Sequence, residues 1–175
     1  SIMAKKFVEH KTLNLTNVNN EVLDTWKEKD VFRKSVEEKE GCPEFIFFEG
    51  PPSANGHPGI HHVMGRTIKD TFLRYKTMKG FQVKRKAGWD THGLPVELEV
   101  EKEIGIEGKE QIEAYGIEPF IEKCKESVWQ YKGMWEDFSG TVGFWADMDD
   151  PYVTYYDDFI ESEWWALKQI WEKGL

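Results

Sequence analysis

Cysteine is scarce in this chain. Cys42 and Cys124 are the only two among 175 residues, and no Cys-x-x-Cys spacing occurs. That excludes a disulfide scaffold and a cysteine-based structural zinc, and it predicts a reducing, cytoplasmic setting. Positive charge is also in short supply: 23 Lys and Arg against 32 Asp and Glu leave a formal charge of −9. Such a balance argues against a broad nucleic-acid-binding face on this piece. No apolar run is long enough to span a bilayer, and no secretory signal pattern is present, so no membrane partner is expected. Met3 reads as the natural start, with Ser1 and Ile2 added ahead of it. What is present, 39% hydrophobic and 31% charged residues, is the composition of a soluble globular protein that can bury one good core.

Periodicity sets out the elements. Val18, Val22, Trp26 and Lys29 follow helical spacing, with Thr16 or Asn17 as the N-cap candidate. A polar run, Arg33 to Gly41, leads into an apolar strand, Glu44 to Phe48. After a Gly/Pro loop, Ile60, Met64, Ile68, Phe72 and Tyr75 recur at helical steps and are expected to form the buried face, with Gly80 ending the helix. Phe81–Lys86 reads as the next strand, which makes a strand–helix–strand unit of a parallel sheet. A helix is predicted over Leu94 to Glu103, with Glu97, Glu101 and Glu103 facing outward. A short helix between two Gly-punctuated segments follows, then one long amphipathic helix marked by Phe120, Cys124, Val128, Tyr131, Trp135 and Phe138. Val142 to Tyr156 is a turn-rich strand region, and Ile160, Trp164, Leu167 and Trp171 mark the last helix. Trp26, Trp129, Trp135, Trp164, Trp165 and Trp171 are expected to pack against the sheet, with Trp89 beneath a pocket.

The loop is the most informative stretch: Phe48-Glu-Gly-Pro-Pro-Ser-Ala-Asn-Gly-His-Pro-Gly-Ile-His-His62. A strand that passes through short residues into a helix carrying histidines in its first turn suits an anion, because free N–H groups and the positive helix end point at the loop. These residues resemble the ATP-binding signature of class I aminoacyl-tRNA synthetases, His-x-Gly-His, and within that family the isoleucyl branch, in which Gly-Pro-Pro-x-Ala-Asn-Gly precedes it. Gly88-Trp-Asp-Thr-His-Gly-Leu-Pro-Val-Glu97 is similar to the amino-acid-binding segment of the same branch, and Arg74 to Gly80 fits as well. The resemblance runs from about Phe7 to Leu175.

It implies an α/β fold, the first half of a Rossmann-like nucleotide-binding domain with parallel strands and flanking helices. Residues 1–40 would be an N-terminal arm and helix, and residues 41–175 the first half of the catalytic domain, ending before the editing insertion. No match to the family's second signature, Lys-Met-Ser-Lys-Ser, occurs. The implied reaction joins isoleucine to ATP, supplied with Mg2+, and then passes the aminoacyl group to tRNA. The piece by itself is expected to be inactive and monomeric, although unpaired sheet edges favour self-association.

The residues depart from the family pattern at one place. Aligned on Pro58 and Val63, the signature becomes Gly59-Ile60-His61-His62. His62 is retained, Gly59 replaces the first histidine, and His61 replaces the glycine that lets adenine approach. The reading is that His62 stabilises phosphate charge while His57 or His61 supplies the missing imidazole; the alternative leaves both facing solvent. By resemblance, Pro52, Asn55, Gly56, Gly59 and His62 are the ATP contacts, and Gly50, Pro51, Asp90, His92 and Glu97 surround isoleucine. Asp90 would hold the ammonium group, or cap the turn before Leu94. Glu97 is also explained as a carboxylate at a helix start, and Asn55 as a turn former. The basic cluster Lys76, Lys79, Lys84, Arg85 and Lys86 is either a solvated surface or a contact for tRNA phosphates. Competing readings are a valyl or leucyl enzyme, a nucleotidyltransferase, which leaves Gly88–Glu97 unexplained, and a binding module without catalysis.

Overall fold

The computed structural model describes residues 11–53 and 56–175. Helices α1 (Leu15–Lys29) and α2 (Val31–Glu37) precede strand β1 (Glu44–Phe48), and α3 (Ile60–Met78) links β1 to β2 (Gln82–Trp89). Four helices, α4 (Leu94–Ile104), α5 (Gly108–Tyr115), α6 (Ile117–Gln130) and α7 (Lys132–Thr141), lead to β3 (Asp147–Val153), which α8 (Asp157–Glu172) follows. The three strands are parallel, in the order β1-β2-β3. This is the expected α/β architecture, with the strand–helix–strand unit in place. The second strand runs three residues beyond the expected Lys86, because Gly88 and Trp89 pair with Tyr152 and Val153 of β3.

The core gathers on the central strand. Val83, Ala87 and Trp89 of β2 are buried, and Trp89, Trp135 and Val153 form one apolar cluster. Gly88 has a steric reason for its identity: a Cβ built there would lie inside the ring of Tyr152. That ring stacks on Phe159 and its hydroxyl donates to the backbone carbonyl of Glu49. Gly88→Ala is therefore expected to cost about 1–3 kcal/mol by overpacking and to pull Tyr152 off Glu49. Chemical denaturation checks this; an unchanged midpoint would mean the ring moves aside freely.

Several sequence expectations are corrected. Asn14, rather than Thr16 or Asn17, caps α1, its side chain accepting from the Asn17 N–H at 3.1 Å. The first half of the polar run after Arg33 is helical, as α2. The long amphipathic helix is two, interrupted at Tyr131 just before the weak helix former Gly133. Glu101 does not face outward: it is buried, and its Oε2 accepts from the Gly108 N–H at 2.8 Å, closing the turn after α4.

Helix α3 is turned relative to its apolar stripe. Ile60, Met64, Ile68, Phe72 and Tyr75 are all exposed, while Arg66 and Leu73 are buried. Polar residues fill the inner face because each finds a partner there: Asp70 accepts from Arg85 on β2, Lys69 pairs with Glu49, and Arg66 donates to Ser139 on α7. On α8 the expected buried face is likewise exposed, including Trp164, Trp165 and Trp171. The basic cluster is largely engaged within the fold. Arg85 is buried against Asp70, Lys84 pairs with Glu44, Lys86 with Asp150 at 2.9 Å, and Lys76 lies over Phe45 and Phe81. Among the described residues no helix is long and apolar enough to cross a membrane.

Candidate functional site

The carboxyl ends of parallel strands are where open α/β sheets bind ligands, and the candidate residues lie there. Glu49, Gly50, Pro51 and Pro52 leave the end of β1 and face His61, His62, Gly65, Arg66 and Lys69 on the first turns of α3, enclosing a cleft of about 210 Å³. The helix begins here because Gly59 is extended, and the His62 N–H closes the first turn on the Gly59 carbonyl at 3.0 Å. His62, Arg66 and Lys69 recur at steps of four and three, so a single helix face brings an imidazole, a guanidinium and an ammonium to the cleft.

Hydrogen bonding fixes the form of His62. Its Nδ1 accepts from the Gly59 N–H at 2.9 Å, which leaves the proton on Nε2 as a donor. Its ring meets Trp135 edge-on at 4.8 Å, and the Trp135 indole N–H donates to the Gly56 carbonyl at 2.9 Å. Burial, then the neighbouring His61 and Arg66, hold His62 below its usual value of 6.5. The unfolded chain therefore takes up this proton first as pH falls. The contribution of His62 to stability is complete above pH 6.5 and is lost as pH drops through the depressed folded value. An NMR titration is expected to show His62 protonating below 6.5, with the Gly59 amide signal shifting in step; a midpoint above 6.5 would contradict the assignment.

His61 stands beside it, ring centroids 3.9 Å apart. The side chain folds back over Gly59: a Cβ at residue 59 would come within 2.8 Å of His61 Cε1. The imidazole of His61 thus occupies the space that a side chain at position 59 would take. His57 is elsewhere, its Nδ1 at 3.0 Å from Met134 Sδ and its ring edge-on to Tyr131. Asn55 lies outside the described residues.

Three charged residues of the cleft were not anticipated. Glu49 is 3% exposed and pairs with Lys69, and its Oε2 has no hydrogen-bond partner among the described residues. Arg66 is buried over the rings of Trp135, Phe138 and Phe144; burial lowers it from its usual value, and the Glu49 carboxylate opposes that shift. The signal that could have found Arg66 and Lys69 was their spacing from His62 on α3.

Asp90 follows β2 and is tied to the loop. Its N–H donates to the Pro52 carbonyl at 3.4 Å, and Ser53 Oγ donates to its Oδ2 at 3.5 Å. The capping alternative fails: Gly93 is the N-cap of α4, and no side chain caps that helix. His92 and Glu97 are not at the histidine cleft. They line a second cavity of about 170 Å³ with Thr91, Val96, Phe120, Cys124 and Tyr155. Glu97 sits in the first turn of α4, as its helix-start reading requires. Burial, then Glu97 and Glu101, raise the Cys124 thiol above its usual value, so it is not poised as a nucleophile. Among the described residues no group of three or more His, Cys, Asp or Glu side chains could hold a metal ion.

Comparison with known proteins agrees with this architecture. A family model described as tRNA synthetases class I (I, L, M and V) matches residues 21–175. The isoleucine–tRNA ligase of Bacteroides fragilis is 56% identical over 173 residues, covering 99% of this chain and 15% of the relative. Isoleucine–tRNA ligase 2 of Bacillus cereus is 59% identical over 150 residues, covering 86% and 14%. The isoleucine–tRNA ligase of Clostridium novyi is 56% identical over 162 residues, covering 93% and 16%. The chain thus spans about 15% of the length of the curated relatives it matches. Among solved structures, a LeuRS–tRNA–LeuAMS ternary complex from Agrobacterium radiobacter K84 superposes with a TM-score of 0.60 over 90% of this chain and 18% of that one. At 20% identity, that likeness concerns the fold alone.

Proposed function

This chain belongs to the class I tRNA synthetases, and from that premise we propose that the full-length protein carrying it ligates isoleucine to its tRNA through an isoleucyl-adenylate. In the first step a carboxylate oxygen of isoleucine attacks the α-phosphorus of ATP, bound as its Mg2+ complex. A new P–O bond forms, the bond to the β-phosphate breaks, and pyrophosphate leaves. Such a displacement needs alignment and charge stabilisation more than covalent help. The observation that carries the reading is the set of donors converging on the cleft at the start of α3: His62 Nε2–H, His61, Arg66 and Lys69. Identity of 56–59% to isoleucine–tRNA ligases favours isoleucine over valine or leucine.

Pro52, Gly56, Gly59 and Asn55 would line the nucleotide side, Gly50 and Pro51 the rim of the amino-acid pocket, and Asp90 would receive the ammonium group. Of the two candidates for the missing imidazole we favour His61, because it lies on the cleft with His62 while His57 is held by Met134 and Tyr131. The exposed apolar stripes of α3 and α8 exceed the scattered apolar exposure of ordinary monomers. In this reading, parts of the longer protein cover them.

ATP–pyrophosphate exchange by the full-length protein tests the function. Exchange that depends on isoleucine and is weak with valine or leucine is expected; a preference for either of those would overturn the substrate assignment. The isolated chain should turn nothing over. His61→Ala is expected to slow exchange about 10²-fold, as for a positioned proton donor, and His57→Ala to leave it unchanged. Full activity in both would end the role given to His61.

A further inference from the structure

The residue after Asp90 is buried and polar, and it closes a two-threonine latch. Thr91 is 3% exposed and Thr154, just beyond β3, is 8% exposed. The Thr91 N–H donates to Thr154 Oγ1 at 3.0 Å, and the two hydroxyls lie 3.1 Å apart. Thr91 Oγ1 in turn accepts from the Tyr155 N–H at 3.1 Å, and the Thr154 N–H donates to the Trp89 carbonyl at 3.2 Å. Each threonine side chain thus satisfies a backbone donor of the opposite segment. A buried network in which every member is paired fixes one conformation.

Its position relative to Asp90 gives it meaning. The N–H of Asp90 is engaged by the Pro52 carbonyl, and the N–H of Thr91 by Thr154. Those two groups belong to the peptide planes on either side of the Asp90 Cα, so both backbone torsions of Asp90 are held and only its side-chain rotations remain. Ser53 then orients the carboxylate. We propose that Thr91 and Thr154 are positioning residues for the amino-acid ammonium, acting through the backbone of Asp90. The proposal rests on the reading of Asp90 given above.

A site held to within a fraction of an ångström is sensitive to such supports. In the full-length protein, Thr154→Val keeps the shape and removes the hydroxyl that accepts from the Thr91 N–H. It is expected to raise KM for isoleucine about 10-fold or more while KM for ATP stays within about 2-fold. Thr154→Ser, which keeps the oxygen, should restore the native value. A purely structural role would move both Michaelis constants or neither, and would overturn the proposal. Asp90→Ala is the companion measurement. If it leaves the isoleucine KM unchanged, the reading of Asp90 has failed; if it raises that KM and a folded Thr154→Val does not, the latch inference alone is wrong. Should Thr154→Val not fold, Thr91→Val decides the matter, because it keeps the bond from the Thr91 N–H to Thr154 and frees the Tyr155 N–H that ties the two segments together. A rise in isoleucine KM of about 3-fold or more, selective against ATP, supports the latch, and no rise overturns it.

Discussion

His62→Ala in the full-length protein is expected to slow isoleucine-dependent ATP–pyrophosphate exchange about 10²–10³-fold, the loss that follows removal of one preorganised donor from a site of developing negative charge. Preorganisation is the reason for placing the effect so high. The Gly59 N–H occupies Nδ1 at 2.9 Å, Trp135 bounds the ring at 4.8 Å, and burial with the nearby cations disfavours the charged imidazole. No reorientation is needed at the moment of reaction, and the Nε2 proton is the one free to give. His62→Gln, with an amide donor of different reach, should recover part of the rate. A rate in His62→Ala within about 3-fold of native would show that Arg66 and Lys69 carry the phosphate charge without it, since a lost donor of this kind is worth far more.

Local signals were read well from the chain. Strand β1 appears with the bounds its apolar run gave, and the loop hands over to α3 at Ile60, the first residue of its helical run. Gly80, in the left-handed region at φ +96°, ends that helix region as expected. Beyond one cap and two helix bounds, the failures are questions of which face turns inward. Apolar spacing on α3 marked Ile60, Met64, Ile68, Phe72 and Tyr75 as the core face, yet the buried side carries Arg66, Lys69 and Asp70. Their partners, Ser139, Glu49 and Arg85, come from α7, the end of β1 and β2, and no local pattern announces such pairings. The same limit applies to the site. His62 and Asp90 could be named as candidates because each sits in a recognisable block, whereas Glu49 and Thr154 become candidates only when the ends of the strands are brought together. His92 and Glu97 share the block of Asp90 in sequence, yet they line a cavity separate from the histidine cleft, Glu97 from the first turn of α4 and His92 from the residues just before that helix.

The largest effect on stability is expected at Asp70, away from the cleft. Its Oδ1 accepts from Arg85 Nη1 at 2.6 Å and its Oδ2 from Arg74 Nε at 2.5 Å, so one carboxylate serves two guanidinium groups. The Arg85 side chain is 1% exposed and can find no water to replace that partner. Burial already lowers Arg85 from its usual value, and Asp70 is the group opposing that shift. Arg74 lies over Trp145 at 3.7 Å and Trp26 at 4.8 Å, which joins α1 to the same network. Asp70→Ala would leave Arg85 buried without a counter-charge and facing a second cation. The cost expected is about 3–5 kcal/mol, the usual penalty for stranding one half of a buried ion pair. Unfolding followed by tryptophan fluorescence measures it, with Lys84→Ala as the comparison. Lys84 pairs with Glu44 at the surface, both side chains being about half exposed, 51% and 48%, and its loss should cost no more than about 1 kcal/mol. The ratio of the two effects is the decisive quantity. Similar small losses would mean that water reaches Arg85 and that the polar inner face of α3 is hydrated; a large loss confined to Asp70 would mean that α3 is held to the sheet by charge where its sequence pattern predicted an apolar seam.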